Sequence, residues 1–350
     1  MADANDAATT GTKPDRGIAL LLALLGPWGA GHFYLGQSKR ALFWLGISSV
    51  IFPLGSLVLL WLGGVIGYGL VFCGLGVGFL GVWIASLLEL SRVPEARLRR
   101  TAVLKVVVYW LLSALFTTAV RFPIRVFVIE AFKIPAGSMQ PSLMAGDHLM
   151  VDKLVFRVRR PKRGETMVFR FPEHREQDFV KRVIAVSGDR LEVREGHPWL
   201  NGWEVPHCLV GNGVMPSSDG GVSSGDLYIE YLDGEAYLTF FDEGAPLSGP
   251  QGPWTVADNE FWVLGDNRNN SHDSRSWFGG SGGGVPLDDV RGRALFRWLS
   301  VTDAGVDWSR FGTGASDPLL PGSMKKLQGA LDRCMAERPP REKTVPPAAR

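Results

Sequence analysis

Three short segments carry residue types that together could do acyl-transfer chemistry. Ser138 stands in Ile134-Pro135-Ala136-Gly137-Ser138-Met139-Gln140-Pro141-Ser142-Leu143, where a nearby glycine and proline set the backbone that presents the hydroxyl. Lys181 lies in the apolar run Phe179-Val180-Lys181-Arg182-Val183-Ile184-Ala185-Val186. Period-two alternation puts Lys181 on the face of Phe179 and Val183. Burial there disfavours the ammonium form and lowers the lysine pKa. A neutral lysine is a general base, and a serine needs such a base to become a nucleophile. On this strand alone, an exposed edge-strand lysine is the alternative. The third segment, Gly265-Asp266-Asn267-Arg268-Asn269-Asn270-Ser271-His272-Asp273-Ser274-Arg275, is dense in side chains that fix turns by hydrogen bonding to the backbone. By itself it reads equally as a calcium loop or an ordinary surface loop.

The elements that must position these residues divide sharply. No charged side chain occurs from Ala41 to Leu88. A run of that length covers two bilayer crossings at about 20 residues each. Soluble cores are built from shorter apolar runs broken by polar turns. The spacing predicts helices over 41–62 and 65–88, then a basic loop over 92–105 containing Arg92, Arg97, Arg99, Arg100 and Lys105. A last span follows over 106–128, with Arg121 and Arg125 near its far end, where they can snorkel. Residues 17–38 are apolar but interrupted by Gly26, Pro27, Gly29 and Gly31, so they either span or fold as a hairpin in the interface. Residues 1–16 read as a disordered N-terminus rather than a signal peptide, because their acidic residues oppose a positive n-region. Short basic loops stay cytoplasmic, which assigns the far side of the last span to the chain beyond it.

From Ile129 the texture changes to short β-rich runs separated by Gly, Pro and Asp turns, which reads as an all-β domain over 129–311. Strands are expected over 148–154, 165–171, 179–186, 190–193, 228–231, 236–240, 260–264 and 293–298. Residues 197–259, rich in Gly, Pro and Trp, read as an inserted subdomain, and 312–350 as a mobile tail. The fold class is therefore a multi-span α-helical membrane anchor, with 17–91 as an N-terminal membrane module, followed by an all-β catalytic domain. The net charge of +2 over 350 residues does not suggest a nucleic-acid partner. Cys73, Cys208 and Cys334 form no disulfide framework, and Cys208 can meet Cys334 only if the tail folds back. No Cys or His spacing suggests zinc. His174, His197, His207 and His272 read as surface or structural.

The three segments, in this order after a membrane span, resemble the type I signal peptidases, whose β fold the domain is expected to share. That family carries a Ser-Met-x-Pro-Thr/Ser-Leu box, a Lys-Arg-Val strand and a Gly-Asp-Asn-Arg-x-Asn-Ser-x-Asp-Ser-Arg box. Gly146-Asp147 and Arg163-Gly164-Glu165 resemble its intervening motifs, with Glu where Asp is usual. The resemblance covers roughly residues 104–300, and the combination is far more specific than any one motif. It implies Ser138 as nucleophile, Lys181 as general base and Ser271 as the hydroxyl that orients the lysine. It also implies a structural ion pair between Asp273 and Arg275, with Arg182 set against Asp266. The implied reaction removes signal peptides from exported precursors through an acyl-enzyme, after small residues such as Ala-x-Ala, with no cofactor or metal. Its partners are signal-peptide-bearing precursors and the lipid bilayer. Its place is the bacterial cytoplasmic (inner) membrane, multi-pass, with the catalytic domain outside. Ala136 departs from relatives that have an oxyanion-donating serine there, and the glycine-rich stretch Phe278–Gly284 lengthens the loop after the third box. Separately, Gly29-Ala30-Gly31-His32-Phe33-Tyr34-Leu35-Gly36 resembles the turn of a family of two-transmembrane-helix modules and implies no chemistry.

Two other functions are weighed against this. A self-cleaving repressor with a Ser-Lys dyad would need a DNA-binding helical domain in place of membrane spans. A silent export-binding protein would have no reason to carry Ser138, Lys181 and Ser271 together. Two local matches are decoys. Gly279-Gly280-Ser281-Gly282-Gly283 lies in a glycine run rather than a strand-turn-helix elbow. Ser323-Met324-Lys325-Lys326 lacks the partner motifs of S-x-x-K enzymes.

Overall fold

The structure, a computed structural model, describes residues 14–58, 68–94, 101–216, 221–244, 249, 251–302 and 305–347. The chain forms two compact units, Met1–Val126 and Phe127–Arg350.

The first unit is helical because its sequence is apolar over lengths that must satisfy every backbone group internally. Among the described residues, three helices are long and apolar enough to cross a membrane: Ser38–Val58, Cys73–Ser91 and Val103–Val128. Leu42, Leu80, Leu111 and Leu115 stand exposed on them, the surface a bilayer requires. The stretch 17–38 does not make a fourth such helix. It breaks into Arg16–Leu25 and Ala30–Tyr34. The first has 10 residues, so it is roughly 15 Å long against a hydrocarbon core of about 30 Å. Gly29 makes the break possible, with φ at +89° and its Cα facing the Ala41 carbonyl so closely that a Cβ would lie 2.3 Å from that oxygen. The expected helix ends near 62 and 65, residues 95–100 of the basic loop and residues 1–13 of the N-terminus lie outside the described residues.

Among the described residues, the second unit has fifteen strands. The first four are β1 (Ile129–Lys133), β2 (Asp147–Asp152), β3 (Thr166–Phe171) and β4 (His174–Val186). Next come β5 (Arg190–Arg194), β6 (His197–Leu200), β7 (Trp203–Glu204), β8 (His207–Pro216), β9 (Val222–Leu232), β10 (Glu235–Asp242) and β11 (Gln251–Thr255). The last are β12 (Glu260–Leu264), β13 (Val285–Pro286), β14 (Val290–Thr302) and β15 (Gly305–Val306). The main sheet runs β1-β2-β14-β3-β4-β12-β13, with β15 beside β14. Two smaller sheets, β10-β9-β8 and β11-β5-β6-β7, occupy the chain between β4 and β12. The main sheet is covered on both faces. One cluster holds Ile134, Met139, Leu143, Leu149 and Val168, and another holds Met167, Phe169, Val183, Val263 and Trp277.

The tail is folded where the sequence reads as mobile. The helix Gln328–Ala336 and the turn Gly322–Leu327 lie against the β8-β9-β10 sheet. Leu320, Met324, Leu331 and Cys334 join Val210, Met215, Leu227 and Ile229 in one core. That sheet has an apolar face that must be covered, and the tail supplies the cover, although its Pro- and charge-rich average conceals the apolar residues spaced through it. The folded tail also brings Cys334 to Cys208, and the two form a disulfide. The bond closes a loop with a sequence separation of 126, which restricts the unfolded chain. Replacing Cys208 by Ser is expected to lower the stability of the β unit by about 2–4 kcal/mol. Thermal unfolding of the full chain with and without a reductant checks this, and identical transitions would mean that tail packing alone suffices.

Candidate active site

Ser138 sits on a single 3-10 turn, Gly137–Met139, directly after β1. Ile134 and Met139 on either side of it are buried in the core, and Ser138 between them is only partly buried. Two buried arginines hold the chain that follows: Arg297 Nη1 donates to the Ser142 carbonyl at 2.9 Å and Arg310 Nη2 at 3.0 Å. Arg310 is itself paired with the fully buried Asp147 at 2.6 Å. Sequence reasoning noted Asp147 as part of a motif but not Arg310, which lies 163 residues away in sequence.

Lys181 arrives from β4. Its cross-strand partner is Met167 on β3, and its Nζ lies 5.3 Å from the Phe179 ring centre. The side chain is 4% exposed, and its Nζ stands 2.6 Å from Ser138 Oγ. Burial pushes the lysine down from 10.5 to about 8, with Asp273 and Asp266 pulling the other way and Arg275 adding to the depression. At that value a substantial neutral fraction exists near neutral pH, and the neutral amine can accept the Ser138 proton.

The third segment follows β12, the neighbour of β4 in the sheet, with Leu264 opposite Arg182. It grips the serine turn by its backbone. Asn267 N–H donates to the Ser138 carbonyl at 3.1 Å, and Asn267 Nδ2 donates to the Gly137 carbonyl at 3.2 Å. Asp273 accepts from Gly265 N–H at 2.9 Å and is paired with Arg275 through two contacts of 2.8 Å. Burial raises the Asp273 carboxyl, but Arg275, the Gly265 N–H and the Ser271 hydroxyl outweigh it, so its pKa is lowered. Arg182 meets Asp266 in a bidentate pair at 2.8 and 2.6 Å, both side chains fully buried. Ser271 Oγ is buried and lies beside Asp273 and Gly265, and among the described residues it makes no hydrogen bond to Lys181.

Gly265 is the residue that motif reading underrates. A Cβ there would lie 2.2 Å from Ser271 Oγ and 2.5 Å from the Ser138 carbonyl oxygen, so only glycine lets the two segments meet. Gly265→Ala is expected to displace Ser138 from Lys181 and lower kcat/KM at least about a hundredfold, since a shift of roughly 1 Å has that effect. Steady-state cleavage by the folded variant checks this, and a rate equal to that of the unchanged chain would remove the close approach from the site. Arg268 is a second missed support. It is buried, pairs with Glu230 through two contacts of 2.6 Å and donates to the Gly265 carbonyl at 3.2 Å. Its partner lies on β9 in the inserted region, where no motif marks it.

A groove of about 260 Å³ opens at Ser138 and Lys181, walled mainly by Phe132, Ile134, Ala136, Val168, Phe179 and Val180. His272, read from sequence as surface or structural, lines this groove, with Nδ1 2.9 Å from Ser276 Oγ. His197 is buried against Glu230 at 3.2 Å. The decoy serines have other engagements. Ser323 donates to the Val214 carbonyl at 2.9 Å, and Ser281 lies exposed in the glycine turn. Among the described residues, no group of three or more His, Cys, Asp or Glu side chains is arranged to hold a metal ion.

A membrane helix followed by a β unit that brings a serine and a buried lysine together in an apolar groove defines the class of a membrane-bound serine hydrolase. Residues 107–299 match the family described as signal peptidase, peptidase S26, and the chain belongs to that family of serine endopeptidases. It is similar to signal peptidase I of Pseudomonas aeruginosa, with 33% identity over 198 residues, 51% of this chain and 68% of that one. It is also similar to a probable signal peptidase I-2 of Synechocystis sp., with 34% identity over 188 residues, 52% of this chain and 69% of that one. A solved signal peptidase I from Enterococcus faecalis V583 matches at 24% identity with a TM-score of 0.22, covering 38% of this chain and 95% of that one. The apolar helices make this chain membrane-associated.

Proposed function

We propose that this chain removes signal peptides from exported precursors, with Ser138 as nucleophile and Lys181 as general base. The observation that carries the reading is the 2.6 Å contact between Ser138 Oγ and a buried Lys181 Nζ inside an apolar groove. Ser138 Oγ attacks the carbonyl carbon before the cleavage point while its proton passes to Nζ. The tetrahedral oxyanion collapses, the C–N bond breaks, and the ammonium of Lys181 gives its proton to the leaving amine. Lys181 then takes a proton from water, which attacks the acyl-enzyme and frees Ser138. The backbone N–H of Ser138, on the turn Gly137–Met139, is the donor that would hold the oxyanion. Ala136 is exposed beside it on the groove wall and offers no hydroxyl.

The narrow apolar wall supports a preference for small residues before the cut, Ala-x-Ala in the simplest case. Asp273 with Arg275, and Arg182 with Asp266, act as supports beneath the dyad. Ser271 is given the role of orienting the lysine from the motif it matches, since among the described residues it makes no hydrogen bond to Lys181. Ser271→Ala is expected to slow turnover without unfolding the domain, and turnover equal to the unchanged chain across pH would withdraw that role. The layout follows the same reading, with 17–91 and 106–128 in the bacterial inner membrane, 92–105 cytoplasmic and the β unit outside. The Cys208–Cys334 disulfide supports that side, since such bonds persist in oxidising compartments. The test is cleavage of a peptide carrying Ala-x-Ala by the full chain in detergent, with Ser138→Ala as control. Cleavage that survives Ser138→Ala would sink the reading.

A further inference from the structure

The last span presents more than an apolar surface. Trp110, Thr117, Arg121 and Arg125 recur at helical spacing, so they share one face. That face lines an open cavity of about 640 Å³ in the helical unit, whose opposite wall includes Ser48 and Ser49 of the helix Ser38–Val58. Ser49 Oγ and Thr117 Oγ1 are 2.9 Å apart and tie the two helices together in the cavity's middle. Arg121 and Arg125 are exposed, and among the described residues neither has a carboxylate within ion-pair distance.

A guanidinium near hydrocarbon is costly unless it faces a polar cavity or meets an anion. Here two of them, one turn apart, face the same cavity beside hydroxyl groups. The far end is aromatic, where Trp110 Nε1 closes on Gly26 so tightly that a Cβ there would lie 2.8 Å away. From Trp110 to Arg125 the helix rises roughly 20 Å, enough to follow a lipid from headgroup into one leaflet's hydrocarbon. Phosphate takes paired hydrogen bonds from guanidinium forks, and Thr118, exposed on the same wall, offers a hydroxyl to a glycerol backbone. An apolar signal helix in the same cavity would leave both arginines without a partner, so the charge favours a lipid.

We propose that this cavity is a binding site for one anionic glycerophospholipid, with its headgroup phosphate on Arg121 and Arg125 and its chains running toward Trp110. The site is separate from the Ser138 groove and does not depend on the peptidase reading. Native mass spectrometry of the full chain, stripped of lipid and titrated with phosphatidylglycerol or phosphatidylcholine, reads it directly. The unchanged chain is expected to hold one phosphatidylglycerol at least about tenfold more tightly than phosphatidylcholine. Arg121→Gln with Arg125→Gln is expected to erase that preference, and Arg121→Lys with Arg125→Lys to keep most of it. Equal retention of both lipids by the unchanged chain would overturn the proposal, as would undiminished preference in the glutamine variant. A photo-reactive phenylalanine at Trp110 supplies a measurement that does not rely on those variants. It is expected to capture phosphatidylglycerol, and capture of a signal peptide that excess phosphatidylglycerol does not displace would overturn the assignment.

Discussion

Lys181→Arg is expected to abolish peptide cleavage, lowering kcat/KM by at least about 10⁴-fold, the scale on which loss of one member of a nucleophile–base pair acts. The guanidinium keeps its proton at any working pH, so it cannot take one from Ser138. With Lys181 as the proposed base, its pKa of about 8 is expected to set the pH profile of the unchanged enzyme. The active form is the neutral amine, so activity rises with pH through about 8 and falls roughly tenfold per unit well below it. Stability carries the same signature. Burial lowers the folded pKa to about 8 from 10.5, so between these values the unfolded chain binds the proton and the folded chain does not. The unfolded state binds more protons there, and stability therefore rises with pH across that window. Lys181→Met is expected to flatten this slope while losing activity. Turnover by Lys181→Arg, or a pH–activity profile centred far from 8, would remove Lys181 from the base role.

Asp266→Ala is expected to destabilise the β unit by about 3–5 kcal/mol, a large share of the usual margin of roughly 5–15 kcal/mol. Arg182 and Asp266 are both fully buried and bidentate, and Arg182 also donates to the Gly164 carbonyl at 2.7 Å. Removing the carboxylate leaves a buried guanidinium that cannot neutralise itself. The guanidinium carbon lies 4.0 Å from the Tyr237 ring centre, so it has no room to reach solvent without unpacking its neighbours. Arg182→Met with Asp266→Leu is expected to recover much of the loss, because the penalty comes from an unpaired charge rather than from an absent bond. Asp266 also pulls the Lys181 pKa upward, so the folded fraction of Asp266→Ala is expected to show a pH profile shifted to lower pH. Thermal unfolding of the full chain and its pH–rate curve measure both effects. An unchanged melting temperature in Asp266→Ala would show that the pair does not support the site.

Much of this protein is legible in local order. The uncharged run from Ala41 to Leu88 demands helices in a bilayer, because only a helix or a closed barrel satisfies a backbone there. The short alternating runs demand strands, and β2, β3, β4, β12 and β14 lie close to where alternation puts them. Ser138, Lys181 and the Gly265–Arg275 segment stand out through their joint resemblance to the signal peptidase motifs, because each alone fits an ordinary turn, strand or loop. The partners that complete the site were not legible. Glu230 under Arg268 and Arg310 under Asp147 lie 38 and 163 residues from those they join, and the pairing of Cys208 with Cys334, 126 residues apart, depended on the tail folding back. Nothing local selects them, since each is an ordinary residue in a stretch with its own independent pattern. The same holds for the stretch 17–38, whose break depends on Gly29 meeting Ala41, and for the tail, whose apolar residues gain meaning only against β8–β10. Local sequence determined the element types, because periodicity acts over a few residues, and the order of its motifs singled out the candidate site residues. Tertiary structure alone decided which charges pair, how far Lys181 is desolvated and how close it comes to Ser138, because those depend on what the sheet order brings together.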